Sequence, residues 1–256
     1  MSLSALRPLS FGETLDGAFA LYRRHFATFV ATGLLAFTPL FLLSAAIAAG
    51  FVSPELETLL NRILSTLSGI LAFGALTAQA SAAYLGQEVS VAAGFRAAGR
   101  RFRPVWASLV LQGLAIGLGL LLLVVPGVIA FIILFAMIPV VVLEGKNSSE
   151  AQGRSRELAK GGWRRVLGVM LTFTLITWVP VLGCAYLVGI AAVVAGTSTT
   201  ATAVGGVAAL IGFLVRAVAI PVQIIGTVIL YYDRRVRTEA LDLEVPGETA
   251  GALALA

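Results

Sequence analysis

The sequence is poor in the residues that build aqueous active sites. It has one histidine, His25, one cysteine, Cys184, and 12% charged residues against roughly 25% in a soluble domain. A single cysteine excludes an intramolecular disulfide, and one histidine with one cysteine is too few for a zinc site. No HExxH, GxSxG or P-loop motif is present. We therefore predict no enzyme activity, no metal site and no cofactor.

What the sequence has in abundance is apolar residues. They make up 59% of the 256 residues, and the mean hydropathy is +0.97. This is more apolar surface than one core can bury, so it requires a second apolar solvent, which the lipid bilayer supplies. The composition predicts an all-α integral membrane protein.

Six apolar runs are long enough to cross a bilayer as helices, which takes about 20 residues. The third and fourth runs are separated only by Pro126 and Gly127. One helix over residues 105–143 would be about 58 Å long, whereas the hydrocarbon is about 30 Å thick, so we predict a tight turn there. The predicted spans are residues 27–49, 63–85, 105–125, 128–143, 166–192 and 207–232.

The positive charges predict the orientation of these spans. Of the 18 Lys and Arg residues, all but Arg62 and Arg216 fall before the first span, between the second and third, between the fourth and fifth, or after the sixth. Loops rich in Lys and Arg stay in the cytoplasm. We therefore predict that both termini are cytoplasmic and that the number of spans is even.

Short amphipathic segments precede the first, third and fifth spans, and each opens with a serine that we predict to be a helix cap: Ser10, Ser90 and Ser148. In the first segment an apolar face recurs at helical spacing and comprises Phe11, Leu15, Phe19, Tyr22 and Phe26. Such helices lie in the plane of the headgroups. The order predicts three repeats of one interfacial helix and two spans. The alternative is that any polytopic protein keeps basic amphipathic segments in the cytoplasm.

The cytoplasmic cations are the candidate functional residues. We expect them to bind anionic lipid headgroups or a partner protein, and not nucleic acid. Glu144 ends the fourth span and is a candidate for a structural ion pair with Arg164, Arg165 or Arg101; an exposed loop carboxylate is the alternative. The candidate contacts are Arg23, Arg24, Arg96, Arg100, Arg101, Arg103, Arg154, Arg164, Arg165, Arg234 and Arg235.

Few polar residues and no acidic residue fall in the middle of a span. The default role of the polar ones is hydrogen bonding between helices, and a polar cavity around Gln112 and Gln223 is a second hypothesis. Prolines at positions 39, 139, 180 and 221 can kink their helices, as at transporter sites. Gly113 and Gly117 allow close approach of two helices. A transporter of an amphiphile or a small solute is thus the alternative to a non-enzymatic binding module.

Three stretches together resemble a known family: LRPLSFGETLDGAFALYRRHF near the start, VVPGVIAFIILFAMIPVVVLEG with SSEAQGRSRELAKGGWRRVLG in the middle, and ILYYDRRVRTEALDLE near the end. The chain resembles the bacterial membrane domain named after glycerophosphoryl diester phosphodiesterases. The residues that carry the resemblance are Leu9, Ser10, Asp16, Tyr22, Arg23, Pro126, Gly127, Pro139, Glu144, Arg154, Ser155, Leu158, Gly161, Tyr231, Tyr232, Asp233, Arg235, Arg237 and Glu239.

The resemblance implies a six-helix module in the bacterial inner membrane. It implies no enzyme activity, because the phosphodiesterase reaction of that family belongs to a separate soluble domain. We predict a single membrane domain over residues 1–244 and a flexible tail over residues 245–256.

Overall fold

The computed structural model describes residues 8–195 and 199–239. The predicted tail at residues 245–256 lies outside this part. Within it the chain forms ten helices and no strand: α1 Phe11–Arg24, α2 Phe26–Ala48, α3 Pro54–Tyr84, α4 Val91–Arg100, α5 Phe102–Leu122, α6 Val124–Ile133, α7 Met137–Leu143, α8 Ser148–Ala159, α9 Trp163–Ala195 and α10 Thr199–Glu239.

The prediction of an all-α protein with six spans is confirmed. Within the described residues, six helical stretches are long and apolar enough to cross a membrane: α2, α3, α5, α6 with α7, α9 and α10. The largest errors are at the ends of the helices. α3 begins at Pro54 instead of residue 63, and α10 covers Thr199–Glu239 instead of residues 207–232. A helix continues into polar sequence beyond the hydrocarbon, and hydropathy does not detect that part.

The third and fourth spans form a hairpin, but its turn is at Leu123 and not at the predicted Pro126-Gly127. Leu123 is extended, with φ −159° and ψ 143°. Pro126 lies in the first turn of α6, where its missing N–H breaks no helical bond. Gly127 allows the two helices to pack closely, since a Cβ added at Gly119 would lie 2.7 Å from the Gly127 Cα.

The fourth span is broken between α6 and α7. Pro139 lies in the first turn of α7, a position that proline tolerates. Two backbone groups at the break have side-chain partners: the Ala136 N–H donates to Ser155 Oγ at 3.0 Å, and the Leu134 carbonyl accepts from Gln112 Nε2 at 2.9 Å. Side chains of α8 and α5 thus stabilise the break.

One order of elements occurs three times in the described chain: a short helix followed by two spans. The units are α1–α3, α4–α7 and α8–α10. Each short helix packs mainly on the second span of the preceding unit, α4 on α3 and α8 on α7, and α1 closes the ring by packing on α10. This arrangement fits the predicted three repeats.

Small buried residues recur at the same two positions of each short helix. They lie four and eight residues after the N-cap, which is Ser10 in α1, Ser90 in α4 and Asn147 in α8. All six are buried: Thr14 and Ala18, Gly94 and Ala98, Ala151 and Ser155. Small side chains allow the backbones to approach closely, as in membrane helix pairs.

The serine caps are confirmed only in part. Ser10 is a cap and forms a capping box with Glu13: the Ser10 N–H donates to Glu13 Oε2 at 2.6 Å, and Ser10 Oγ accepts from the Glu13 N–H at 3.2 Å. Ser90 is an N-cap, but its side chain makes no capping hydrogen bond. Ser148 was the wrong residue, because the cap is Asn147, whose N–H donates to Glu150 Oε2 at 3.1 Å.

The three short helices lie at one end of the bundle. α4 and α8 each connect the second span of one unit to the first span of the next unit, and α1 precedes the first span of the first unit. The arginines at this end far outnumber those at the other, so we call it the basic end.

Candidate functional site

At the basic end, some of the predicted cations surround one buried carboxylate. The side chain of Asp233 is fully buried. Its oxygens accept from the Leu9 N–H at 2.8 Å, from Arg165 Nε at 2.8 Å and from Arg237 Nε at 3.1 Å. Both arginines also donate to the Leu9 carbonyl at 2.6 Å. We call Leu9, Arg165, Asp233 and Arg237 the Asp233 clasp; it fastens the segment before α1 to α9 and α10.

A second polar cluster surrounds Glu144, where α7 ends. Its carboxylate pairs with Arg154 at 3.2 Å and with Lys146 at 3.1 Å, and it accepts from the Tyr231 hydroxyl at 2.9 Å. The structural ion pair is therefore present, but the predicted partners Arg164, Arg165 and Arg101 were wrong. The reason is that α8 packs on α7 and brings Arg154 to the carboxylate.

This arrangement keeps Glu144 ionised. Burial raises its pKa, but hydrogen bonds from Lys146 and Tyr231 and the charges of Arg154 and Lys146 outweigh burial and hold the pKa below its usual value. Glu239 extends the cluster by pairing with Arg154 and, at 3.0 Å, with Arg235.

Two further candidates bind backbone carbonyls. Arg234 donates to the Leu158 carbonyl at 2.8 Å and to the Lys160 carbonyl at 2.7 Å, which holds the connection between α8 and α9. Arg101 donates to the Gly145 carbonyl at 2.6 Å. Five of the eleven predicted contact residues thus have partners within the fold: Arg101, Arg154, Arg165, Arg234 and Arg235.

The other six are exposed, and five of them lie where a short helix turns into a span. We call these places the elbows: residues 23–26, 100–106 and 163–164. They carry Arg23, Arg24, Arg100, Arg103 and Arg164. The sixth, Arg96, donates to the Ala92 carbonyl of its own helix. In the part of the chain that the structure describes, none of the six has an acidic partner.

Each elbow also exposes a large aromatic ring beside its arginines. The exposed fractions are 46% for Phe26 in the first elbow, 38% for Phe102 and 47% for Trp106 in the second, and 57% for Trp163 in the third. An aromatic ring next to a cation is typical of residues at the level of lipid headgroups.

The apolar face predicted for α1 is mostly exposed. Phe11 and Phe19 lie at the surface, while the buried residues of α1 include Thr14 and Ala18. The aromatic face of this helix is therefore free to contact lipid. Tyr22 is the exception: its hydroxyl donates to the Val218 carbonyl at 2.7 Å, and burial raises its pKa to about 12.

His25 is in the first elbow, between α1 and α2. Burial and the neighbouring charge of Arg24 lower its pKa below the usual value, so it is neutral at pH 7. Among the described residues, no group of three or more His, Cys, Asp and Glu side chains is placed to hold a metal ion.

A half-open cavity of about 410 Å³ lies between the helices and is lined by both Gln112 and Gln223. Gln112 is the middle residue of α5, about 15 Å from either end of that helix. A cavity is therefore present around these two residues, but its lining is mostly apolar and not polar as predicted. Gly113 and Gly117 also line it, and a Cβ added at either would meet nothing within 4 Å. They do not form the helix contact that their spacing predicted.

The sequence reasoning missed three features of these sites. It did not find the role of Leu9, which acts through its backbone and leaves no side-chain signal. It missed Asn147 as a cap, although Asn with Glu150 three residues later is a recognisable capping box. It also missed Thr77, a buried threonine that lines the cavity.

No match was found in a scan against protein-family models, in a search of curated proteins or in a search of solved structures.

Proposed function

We propose that this chain is a non-enzymatic membrane module that binds anionic lipid headgroups at its three elbows. One observation carries the proposal: exposed arginine and exposed aromatic side chains occur together at the same point of all three units. The elbow arginines do not hold the helices together, because that role belongs to a different set of cations. The fold itself therefore gives no reason for the repeated pairing of arginine and aromatic ring.

The elbow arginines suit a phosphate ligand. Their guanidinium groups have no carboxylate partner among the described residues, so their donors are open for bidentate hydrogen bonds. A cation close to an anionic membrane surface contributes about 1 kcal/mol to binding. The neighbouring rings contribute an anchor at headgroup depth, which favours lipid over a soluble partner protein as the occupant.

The proposal includes an orientation. We place the basic end at the cytoplasmic face of the bacterial inner membrane, with both termini on that side. Support comes from the positive-inside rule and from the anionic lipids of that leaflet. The resemblance to the membrane domain of glycerophosphoryl diester phosphodiesterases stays a prediction that is compatible with this role.

Transport of an amphiphile or a small solute is the second candidate. The cavity favours it, because it lies beside the break between α6 and α7, and broken helices occur at transporter binding sites.

Lipid retention tests the headgroup proposal. The full chain is placed in bilayers of phosphatidylcholine and phosphatidylglycerol, released gently, and its bound lipids are counted by native mass spectrometry. We expect retained phosphatidylglycerol for the wild type. Each of Arg24→Gln, Arg103→Gln and Arg164→Gln should weaken retention about fivefold, the equivalent of about 1 kcal/mol.

The matched control is Arg62→Gln, an exposed arginine at the other end of the bundle. It should retain as much phosphatidylglycerol as the wild type. A variant that combines Arg24→Gln, Arg103→Gln and Arg164→Gln should retain the least. If it retained as much phosphatidylglycerol as the wild type, or if the wild type retained both lipids equally, the proposal would be contradicted.

A further inference from the structure

The cavity that contains Gln112 and Gln223 has a neutral lining. Helices from all three units contribute to it, and none of its lining residues is charged. Most of the lining is apolar, for example Phe73, Phe131 and Ile138. Its volume of about 410 Å³ lies within the range of roughly 300–1,000 Å³ for small-molecule sites.

Several polar groups in this cavity have no partner within the described part of the chain. The hydroxyl of Thr77 makes no hydrogen bond, although only 2% of the residue is exposed. Gln112 and Gln223 use their Nε2 groups, toward the Leu134 carbonyl at 2.9 Å and Thr174 Oγ1 at 3.4 Å, and no donor reaches either Oε1. A ligand hydroxyl in the cavity would pair with these groups, and a hydrogen bond between groups within a membrane contributes about 0.6 kcal/mol.

The helix break adds one more acceptor. Phe135 and Pro139 both line the cavity. Because Pro139 has no N–H, the Phe135 carbonyl lacks the donor that a continuous helix would give it. Irregular backbone at membrane depth is found where it is buried or lines a cavity, and here it does the latter.

We propose that this cavity binds an uncharged amphiphile: a long apolar chain with a neutral hydrogen-bonding head such as a hydroxyl. An anion or a cation would find no counter-charge, and its desolvation would be costly. A plain hydrocarbon would leave Thr77 and the two glutamine oxygens unpaired.

The ligand comes from the bilayer. Gly113 and Gly117 line the cavity on α5 and are exposed, and their neighbours Leu114 and Leu118 are exposed apolar residues. The approach on this side therefore passes through hydrocarbon, which an amphiphile with a long chain crosses more readily than a polar solute from water.

Three photoactivatable probes of equal chain length test this: a long-chain alcohol, the corresponding alkane and the corresponding alkyl phosphate. The full chain is labelled in phosphatidylcholine bilayers, and the labelled peptides are mapped by mass spectrometry. We expect the alcohol to label α5, α7 and α10 around the cavity more strongly than the other two. Thr77→Val should weaken labelling about threefold, as expected for one hydrogen bond in a membrane.

Gly117→Leu should abolish the labelling, because its side chain fills space that no atom occupies. The matched control is Gly183→Leu, an exposed glycine in α9 that is equally unobstructed and lies outside the cavity; it should be labelled like the wild type. Unchanged labelling of Gly117→Leu, or labelling by the alkane or the phosphate that equals the alcohol, would overturn the proposal. Because the elbow arginines do not line this cavity, neither result bears on headgroup binding.

Discussion

The basic end contains two populations of arginine, and they differ in environment although they are adjacent in sequence. Arg165 belongs to the Asp233 clasp, whereas Arg164 is exposed in the third elbow. Arg101 binds the Gly145 carbonyl, whereas Arg100 is exposed in the second elbow. Neighbouring residues on a helix point about 100° apart, so one faces the bundle and the next faces outward.

The difference shows why a count of positive charges does not define a binding surface. The positive-inside rule counts both populations alike, since it considers only which side of the membrane a residue lies on. The exposed population keeps more of its N–H donors open for a ligand. Stability experiments should therefore separate the two populations, and the expected effects follow from the largest to the smallest.

Replacing Arg165 should have the largest effect. Arg165→Gln leaves the fully buried Asp233 carboxylate with Arg237 as its remaining cation and removes a donor to Leu9. We expect a loss of about 3 kcal/mol, the lower end for breaking a buried ion pair. Thermal unfolding of the purified chain in detergent would measure it. The adjacent Arg164→Gln is the control and should unfold like the wild type; equal losses in both variants would remove the distinction between clasp and elbow.

Glu144 should give a smaller effect that depends on pH. The pKa of Glu144 is held below the usual value. The charge of Glu144 therefore contributes fully to the stability of the fold above about pH 4.3, the pKa of a free glutamate, and this contribution is lost as the pH falls through the lowered pKa. At pH 7, Glu144→Gln should therefore lower the free energy of unfolding by about 1–3 kcal/mol, and the variant should unfold at a lower temperature than the wild type.

The difference in unfolding free energy between Glu144→Gln and the wild type should narrow as the pH falls below about 4.3. Glu88→Gln, at an exposed position between α3 and α4, should match the wild type at every pH. If this difference for Glu144→Gln stayed constant down to pH 3, the charge of Glu144 would not be what stabilises the fold.

The smallest effect should come from the helix caps. Ser10→Ala removes the side-chain acceptor of the α1 capping box and should cost about 1 kcal/mol. Ser90→Ala is its counterpart in α4, where the serine makes no capping hydrogen bond, and should cost close to nothing. Thermal unfolding under the same conditions compares the two, and equal losses would argue against the cap as the cause.

The fold could be predicted from the sequence because each span is determined by its own composition. About 20 apolar residues prefer hydrocarbon whatever their neighbours are, so the six spans and the hairpin of α5 and α6 were predictable. The position of the hairpin turn was not. Pro126 and Gly127 are typical turn residues, but proline is equally suited to the first turn of a helix, and that is where Pro126 lies.

The partners of individual side chains were less predictable, because they depend on how the helices pack. Nothing local indicates that Glu144 meets Arg154, ten residues further along the chain, or Tyr231, 87 residues further. The small residues four and eight positions after each cap were visible in the sequence. Their register appears only once Asn147, and not Ser148, is taken as the third cap.

The account depends on all three short helices lying on one side of the membrane, and labelling of single cysteines tests this most directly. In a Cys184→Ser background, Ala93→Cys in α4, Glu157→Cys in α8 and Ser53→Cys before α3 are all at exposed positions. A membrane-impermeant maleimide applied to intact spheroplasts should label Ser53→Cys at once and the other two only after permeabilisation. Labelling of Ala93→Cys and Glu157→Cys from opposite sides would contradict the six-span arrangement and the shared basic end.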